Sequence, residues 1–260
     1  MDYLIICLTA VFVSALTLFS GFGLGTVLMP AFALFFPVPV AIAATAVVHL
    51  ANNIFKVILV GKKANWGVVL RFALPGAAAA LGGAALLTVF AELPVVHAYT
   101  LAGRPHEITV VKLAVGILII FFALFELIPF FGRLAFDRKY LPLGGMLSGF
   151  FGGLSGNQGA LRSAFLIKAG LDKEAFIGTG TVAGLIVDIS RLIVYGVSFY
   201  AVQFTGIRDA QGLVIAAILA AFLGAFLGTR LVKKVTFRAL QIIVGVMLIV
   251  VGTGMATGLF

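Results

Sequence analysis

Acidic side chains are scarce in this sequence. Nine Asp and Glu stand against 18 Lys and Arg in 260 residues, and charged residues of both signs make up only 10%. A soluble domain carries roughly a quarter. Cysteine is almost missing: Cys7 is the single thiol, so no internal disulfide can form and the redox compartment is not readable. Lys and Arg are absent from "MDYLIICLTAVFVSALTLFS". That stretch therefore lacks the basic flank of a signal peptide and is expected to remain as membrane sequence. There is no Gly-Lys-Ser/Thr phosphate loop and hence no sign of an ATPase. "GLSGN" around Ser155 only echoes a nucleophile elbow, which belongs on a soluble strand-turn-helix. His97 and His106 share a connecting loop without metal-ligand spacing. These absences lead us to expect no catalytic residue, no cofactor and no metal.

What fills the space is apolar sequence. Hydrophobic residues reach 62%, and the mean hydropathy is +1.22. Apolar segments fall at about 3–36, 39–60, 67–90, 109–130, 141–168, 174–200, 211–230 and 237–258. A membrane helix needs about 20 residues to cross roughly 30 Å of hydrocarbon. Six segments suit that length. The first and fifth are overlong and interrupted, by "SGFGLG" from Ser20 and by "SGFFGGLSGNQGALRSAFL" from Ser148. No long polar linker divides the chain, so residues 1–260 read as a single integral membrane domain. The net charge of +9 would suggest nucleic acid in a soluble protein. In this setting it marks basic loops on the cytoplasmic side of a bilayer, and no nucleic-acid partner is expected.

The two interruptions belong to an internal repeat, about 1–132 and about 133–260. "NNIFKVILVG" (Asn52–Gly61) answers "VDISRLIVYG" (Val187–Gly196), pairing Asn53 with Asp188 and Lys56 with Arg191. "GVVLRFALPG" answers "GLVIAAILAA", and "VKLAVGILII" answers "LQIIVGVMLI", in the same order. Loop charges set the topology. With all eight segments crossing, Lys and Arg divide evenly between the two sides. With the fifth segment entering and leaving on one side, Arg104 and Arg208 stand alone outside and eleven basic residues gather inside. Repeat symmetry extends the re-entrant form to the first segment. The expected fold is an all-α polytopic membrane protein of two inverted repeats, each a broken, re-entrant helical hairpin plus three transmembrane helices. Broken helices in inverted repeats are a transporter plan, with substrate near the midplane. Half-helix N-termini there offer unpaired N–H groups to an anion.

Intramembrane polar residues then become candidates. Asp188 and Arg191 lie three apart and can face each other. Either they form a structural pair, or Asp188 holds Arg191 for an anion until a proton discharges it. Lys56, with Asn52 and Asn53 beside it, either contacts the anion or snorkels to the interface. Arg162 faces the same choice. Asn157 and Gln158 either cap the outgoing half-helix or donate to substrate. His49 is either a packed histidine or a proton relay. The expected substrate-binding set is Gly21, Gly23, Gly25, Thr26, Asn52, Asn53, Lys56, Ser155, Gly156, Asn157, Gln158, Gly159, Arg162 and Arg191. Asp188 and His49 are the ion-pair or proton-coupling residues.

With these residues the chain resembles the sulfite exporter TauE/SafE family of membrane permeases. The resemblance lies in the two breaks, "SGFGLGTVLMPAF" and "SGFFGGLSGNQGALRSAFL", and in the small-residue, Thr-bearing helix starts "AIAATA" and "AFIGTGTVAG". It covers nearly the whole chain, and its specificity lies in the order of the motifs. It implies a multi-pass cell-membrane protein, in bacteria an inner-membrane one, that moves a small sulfur-containing anion such as sulfite, thiosulfate or an organosulfonate. The expected activity is secondary transport, as an exporter, by alternating access between the repeats; an anion channel is the alternative. The expected partners are the small anion and the lipid bilayer. Proton or ion coupling and homodimerisation stay open.

Overall fold

The computed structural model describes residues 2–20, 24–128, 130, 134–201, 205–231 and 237–259. Ten helices are seen among them: α1 (Asp2–Ser20), α2 (Leu24–Ala33), α3 (Val38–Val60), α4 (Trp66–Glu92), α5 (Val110–Leu127), α6 (Leu141–Ser155), α7 (Gly159–Leu166), α8 (Lys173–Ala201), α9 (Thr205–Leu231) and α10 (Phe237–Ala256). Their bounds follow the apolar segments closely. Four stretches are long and apolar enough to cross a membrane: Val38–Lys63, Trp66–Glu92, Lys173–Ser198 and Ala210–Gly228. Large apolar side chains cover the outside of the bundle. Ile58 is 71% exposed and Val197 70% exposed, which suits hydrocarbon rather than water as the surrounding solvent.

Local sequence sets the helix starts. Asn65 opens α4 by accepting from Val68 N at 3.1 Å. Thr109 does the same for α5 through Lys112 N at 3.2 Å, and Asp172 for α8 through Ala175 N at 2.8 Å. Each side chain satisfies a donor that has no partner within its helix.

The fifth segment breaks where the sequence places the interruption. α6 ends at Gly156, whose φ of +81° lies in the left-handed region that a side chain would disfavour. The chain then turns back: in α7, Phe165 lies directly against Gly144 near the start of α6. Phe136, ahead of α6, stacks on Phe165 at 4.2 Å between ring centres and donates its backbone N–H to Ala164 O at 3.3 Å. The fifth segment is thus a helical hairpin with both feet at one end. α6, with 15 residues, is about 22 Å long and falls short of a crossing.

α6 runs parallel to α4 along a seam of small residues. Gly145 packs on Phe72 O, Gly149 on Gly76 O and Gly153 on Ala80 O, each too close for a side chain. α1 runs along α9 in the same manner, with Gly224 on Val11 O and Gly228 on Ala15 O. α3 and α8 cross antiparallel: Gly178 lies by Val60, and Gly184 by Asn53. α5 and α10 are also antiparallel, with Gly116 against Gly252 and Leu127 against Gly245.

The basic loops sort by end. Lys63 pairs with Glu174 at 3.4 Å, and Asn65 N donates to Thr179 Oγ1 at 2.9 Å. Val68, Val69, Leu141, Leu166 and Ala169 share one apolar cluster. Lys62, Lys63, Arg138, Lys139, Lys168 and Lys173 therefore lie at one end of the bundle. Arg104 lies at the other, where α4 finishes.

One element adds to the helical expectation. Between α4 and α5, β1 (Val95–Leu101) and β2 (Arg104–Thr109) form an antiparallel hairpin. It turns at Ala102 and Gly103, with φ of 52° and 77°. Tyr99 stacks on His106 at 5.4 Å and donates to Thr257 O at 2.7 Å, which fastens the hairpin to the end of α10.

Candidate functional site

The two breaks meet. A Cβ added to Gly25, at the start of α2, would stand 3.0 Å from Gly156 O and 3.7 Å from His49 Cδ2. Gly21 and Gly23 lie outside the described residues. Gly25 and Thr26 are buried in α2. Beside them runs the inner face of α3, where Thr45, His49, Asn52, Asn53 and Lys56 recur at helical spacing and are all buried. Opposite is α8, with Gly180, Gly184, Asp188, Arg191 and Tyr195 at intervals of three or four.

Asp188 is the hub, with no solvent exposure. Its Oδ1 accepts from Arg191 Nη2 at 2.7 Å, Arg191 Nε at 3.1 Å and Gln158 Nε2 at 3.0 Å. Its Oδ2 accepts from His49 Nδ1 at 2.6 Å and from Asn53 Nδ2 at 2.8 Å. The carboxylate thereby ties α3, α8 and the second break together. Arg191 is fully buried too, and its third nitrogen, Nη1, donates to Gly152 O at 3.2 Å. All three guanidinium nitrogens are engaged within the protein. Tyr195, one turn on, donates to Gly153 O.

Lys56 and Arg162 are placed otherwise. Snorkelling does not describe either of them: Lys56 is 7% exposed and Arg162 is 5% exposed. Arg162 reaches inward from α7 because α8 leaves it room. A Cβ on Gly184 would stand 2.6 Å from Arg162 Nη1, and one on Gly180 would stand 3.7 Å from Nε. Nη1 donates to Gln158 Oε1 at 3.3 Å. Lys56 lies within range of Arg162's repulsion. Among the described residues, Lys56 Nζ has neither an ion-pair nor a hydrogen-bond partner.

The capping alternative for Asn157 and Gln158 is also not what the chain does, because no side chain caps α7. Asn157 Nδ2 donates to Ser155 Oγ at 3.2 Å, and Ser155 Oγ donates to Phe151 O at 3.0 Å. Gly159 opens α7 and is buried. Besides Lys56 Nζ, three side-chain atoms fully shielded from solvent have no hydrogen-bond partner among the described residues: Thr45 Oγ1, Asn52 Nδ2 and Asn157 Oδ1. Such groups cost roughly 1–3 kcal/mol when unsatisfied. Asn52 Oδ1 accepts from Ser14 Oγ at 3.2 Å, which brings α1 to the site.

Sequence reasoning missed Gly180, Gly184, Tyr195 and Ser14. A signal did exist for the glycines: Gly180, Gly184 and Asp188 recur every fourth residue, a small-residue groove leading to a charge.

A bundle of lipid-facing helices, with ionised residues buried where two broken segments touch, belongs to a membrane transporter. The chain matches the family model described as "Sulfite exporter TauE/SafE" over residues 6–255 and belongs to that family. No curated protein matches it, and no solved structure does.

Proposed function

We propose that the protein is a secondary transporter that exports a small sulfur-containing oxyanion, sulfite or an organosulfonate, by alternating access between two inverted repeats. The observation that carries the reading is a charge imbalance. Among the described residues, the buried charged side chains are Lys56, Arg162, Arg191 and Asp188. Three cations stand against one carboxylate, and Lys56 Nζ has no ion-pair partner among the described residues. An uncompensated buried ion costs several kcal/mol, and a bound oxyanion removes that penalty. The partnerless Asn52 Nδ2 and Thr45 Oγ1 supply hydrogen-bond donors for its oxygens. Arg191 then positions Asp188 instead of touching substrate.

The packing supports the inverted repeat. α1 on α9 mirrors α6 on α4, while α3 with α8 and α5 with α10 are antiparallel mates. Asn53 and Asp188, paired by the repeat, touch each other, as residues near a two-fold axis do. The fifth segment's hairpin, with both feet among basic loops, supports re-entry from the cytoplasmic side. Export is the direction carried by the family's description.

Calorimetric titration of the purified protein with sulfite, thiosulfate, isethionate and chloride tests the site. We expect saturable binding of at least one sulfur oxyanion over chloride, and its loss in Lys56→Met. Equal binding of all four anions, or none, would reject the reading. A large unitary current in planar bilayers would replace the transporter by a channel.

A further inference from the structure

Asp188 is crowded beyond its capacity. Five N–H groups converge on a carboxylate that offers about four lone-pair sites. A proton added to Asp188 would have to displace one of those donors, so this carboxylate stays ionised. Its acceptor role settles the state of His49. Nδ1, 2.6 Å from Oδ2, carries the ring proton and donates it, and Asn53 Nδ2, 3.1 Å from Nδ1, donates to Oδ2 instead. In this tautomer Nε2 is a bare lone pair. Among the described residues, nothing donates to Nε2, and its neighbour Cδ2 points to Gly25 where the two breaks meet.

We propose that Nε2 of His49 is a proton-binding site and that its proton travels with the anion. The inference rests on the anion reading above and adds the coupled ion to it. The charged groups around the ring are Asp188 and Arg191 on α8, Arg162 on α7 and Lys56 two turns on along α3. α2, which packs on the same part of α3, brings no titratable side chain. Nε2 accepts a proton from the buffered water through which the anion arrives, leaving the buffer's conjugate base behind, and becomes the second N–H of an imidazolium. No bond forms to the anion, and nothing is oxidised. Asp188 attracts that proton, and with the site empty Arg191 and Arg162 oppose it. A bound anion offsets them, so anion and proton bind with positive coupling, and each tightens the other by the same factor. A proton and an anion that bind together at one site and are released together constitute symport. Asp188 is a positioning residue in this scheme: it fixes the tautomer that keeps Nε2 bare.

The test uses thiosulfate, whose own charge does not change near neutral pH. The first measurement is calorimetry in cationic buffers of different ionisation heat, with wild type and His49→Asn, whose amide keeps an N–H donor for Asp188. We expect wild type to take up a proton on binding and its affinity to rise by up to about tenfold per pH unit of acidification. The variant should take up none and show a flat profile. The second measurement needs no ligand: nitrogen NMR of histidine-labelled protein, with His97→Gln and His106→Gln assigning the other two rings. We expect His49 with Nδ1 protonated and Nε2 bare at alkaline pH. Thiosulfate binding without proton uptake, or uptake that persists in His49→Asn, overturns the proton site and leaves the anion site standing. A ring protonated at Nε2 and bare at Nδ1 overturns the proton site whatever binds. Absence of anion binding overturns the anion reading itself.

Discussion

At the scale of single residues, Arg162 shows how a cation is held in an apolar bundle. Its guanidinium lies where α8 carries Gly184, with a Cβ position only 2.6 Å from Nη1. Arg162→Lys keeps the charge but loses the planar fork that grips two oxygens. It should leave the protein folded and weaken oxyanion binding by about 1.5–3 kcal/mol, the scale of a hydrogen bond to a charged group. Gly184→Ala keeps the whole guanidinium and displaces it, so it should also weaken binding. Titration of both variants with the best-binding anion checks this; unchanged affinity in both removes Arg162 from the site. The sequence made Arg162 visible as a cation in an apolar segment, but not its direction. Direction depends on how α7 sits against α8, and that register is a long-range fact. The partnership of Asp188 with His49 was hidden for the same reason, since 139 residues separate them. Local spacing exposed only the short-range half of the hub, Asp188 with Arg191.

At the scale of elements, the α4–α6 seam explains how a helix of only 15 residues is held in the bundle. Lipid tails are as apolar as leucine, so helices associate there through close backbone contact rather than through the hydrophobic effect. Gly145, Gly149 and Gly153 provide that contact every fourth residue. Gly149→Val would drive two methyl groups into the backbone of Gly76, where overpacking of about 1–3 kcal/mol is the usual minimum. We expect lower thermal stability and loss of anion binding together, measured by scanning calorimetry and titration. A stable variant with normal binding would show that the seam is not what holds the hairpin. Helix positions were legible because apolar runs of fixed length have few alternatives. The β1–β2 hairpin was overlooked although Val95, Val96, Tyr99 and Thr100 favour strands and Gly103 suits its turn.

At the scale of the whole molecule, the sorting of basic loops gives a topology that can be tested without substrate. In a Cys7→Ser background, single cysteines at exposed Asp137, Lys168 and Arg104 probe the two ends. The first two should react with an impermeant thiol reagent only after lysis, and the third in intact cells. Opposite accessibility of Asp137 and Lys168 would mean that the fifth segment crosses. The same architecture has a consequence for biosynthesis. Asp188 draws its donors from both halves of the chain, so His49 and Asn53 leave the ribosome long before the carboxylate they bind. Among the described residues, no buried carboxylate precedes it. A nascent first half therefore carries the imidazole of His49 and the amide of Asn53 into the bilayer before the carboxylate they bind exists, and we expect α3 to reach its final packing only once α8 has been made. Made alone, the first half keeps those polar groups without their acceptor, so we expect it to be degraded faster than the whole chain.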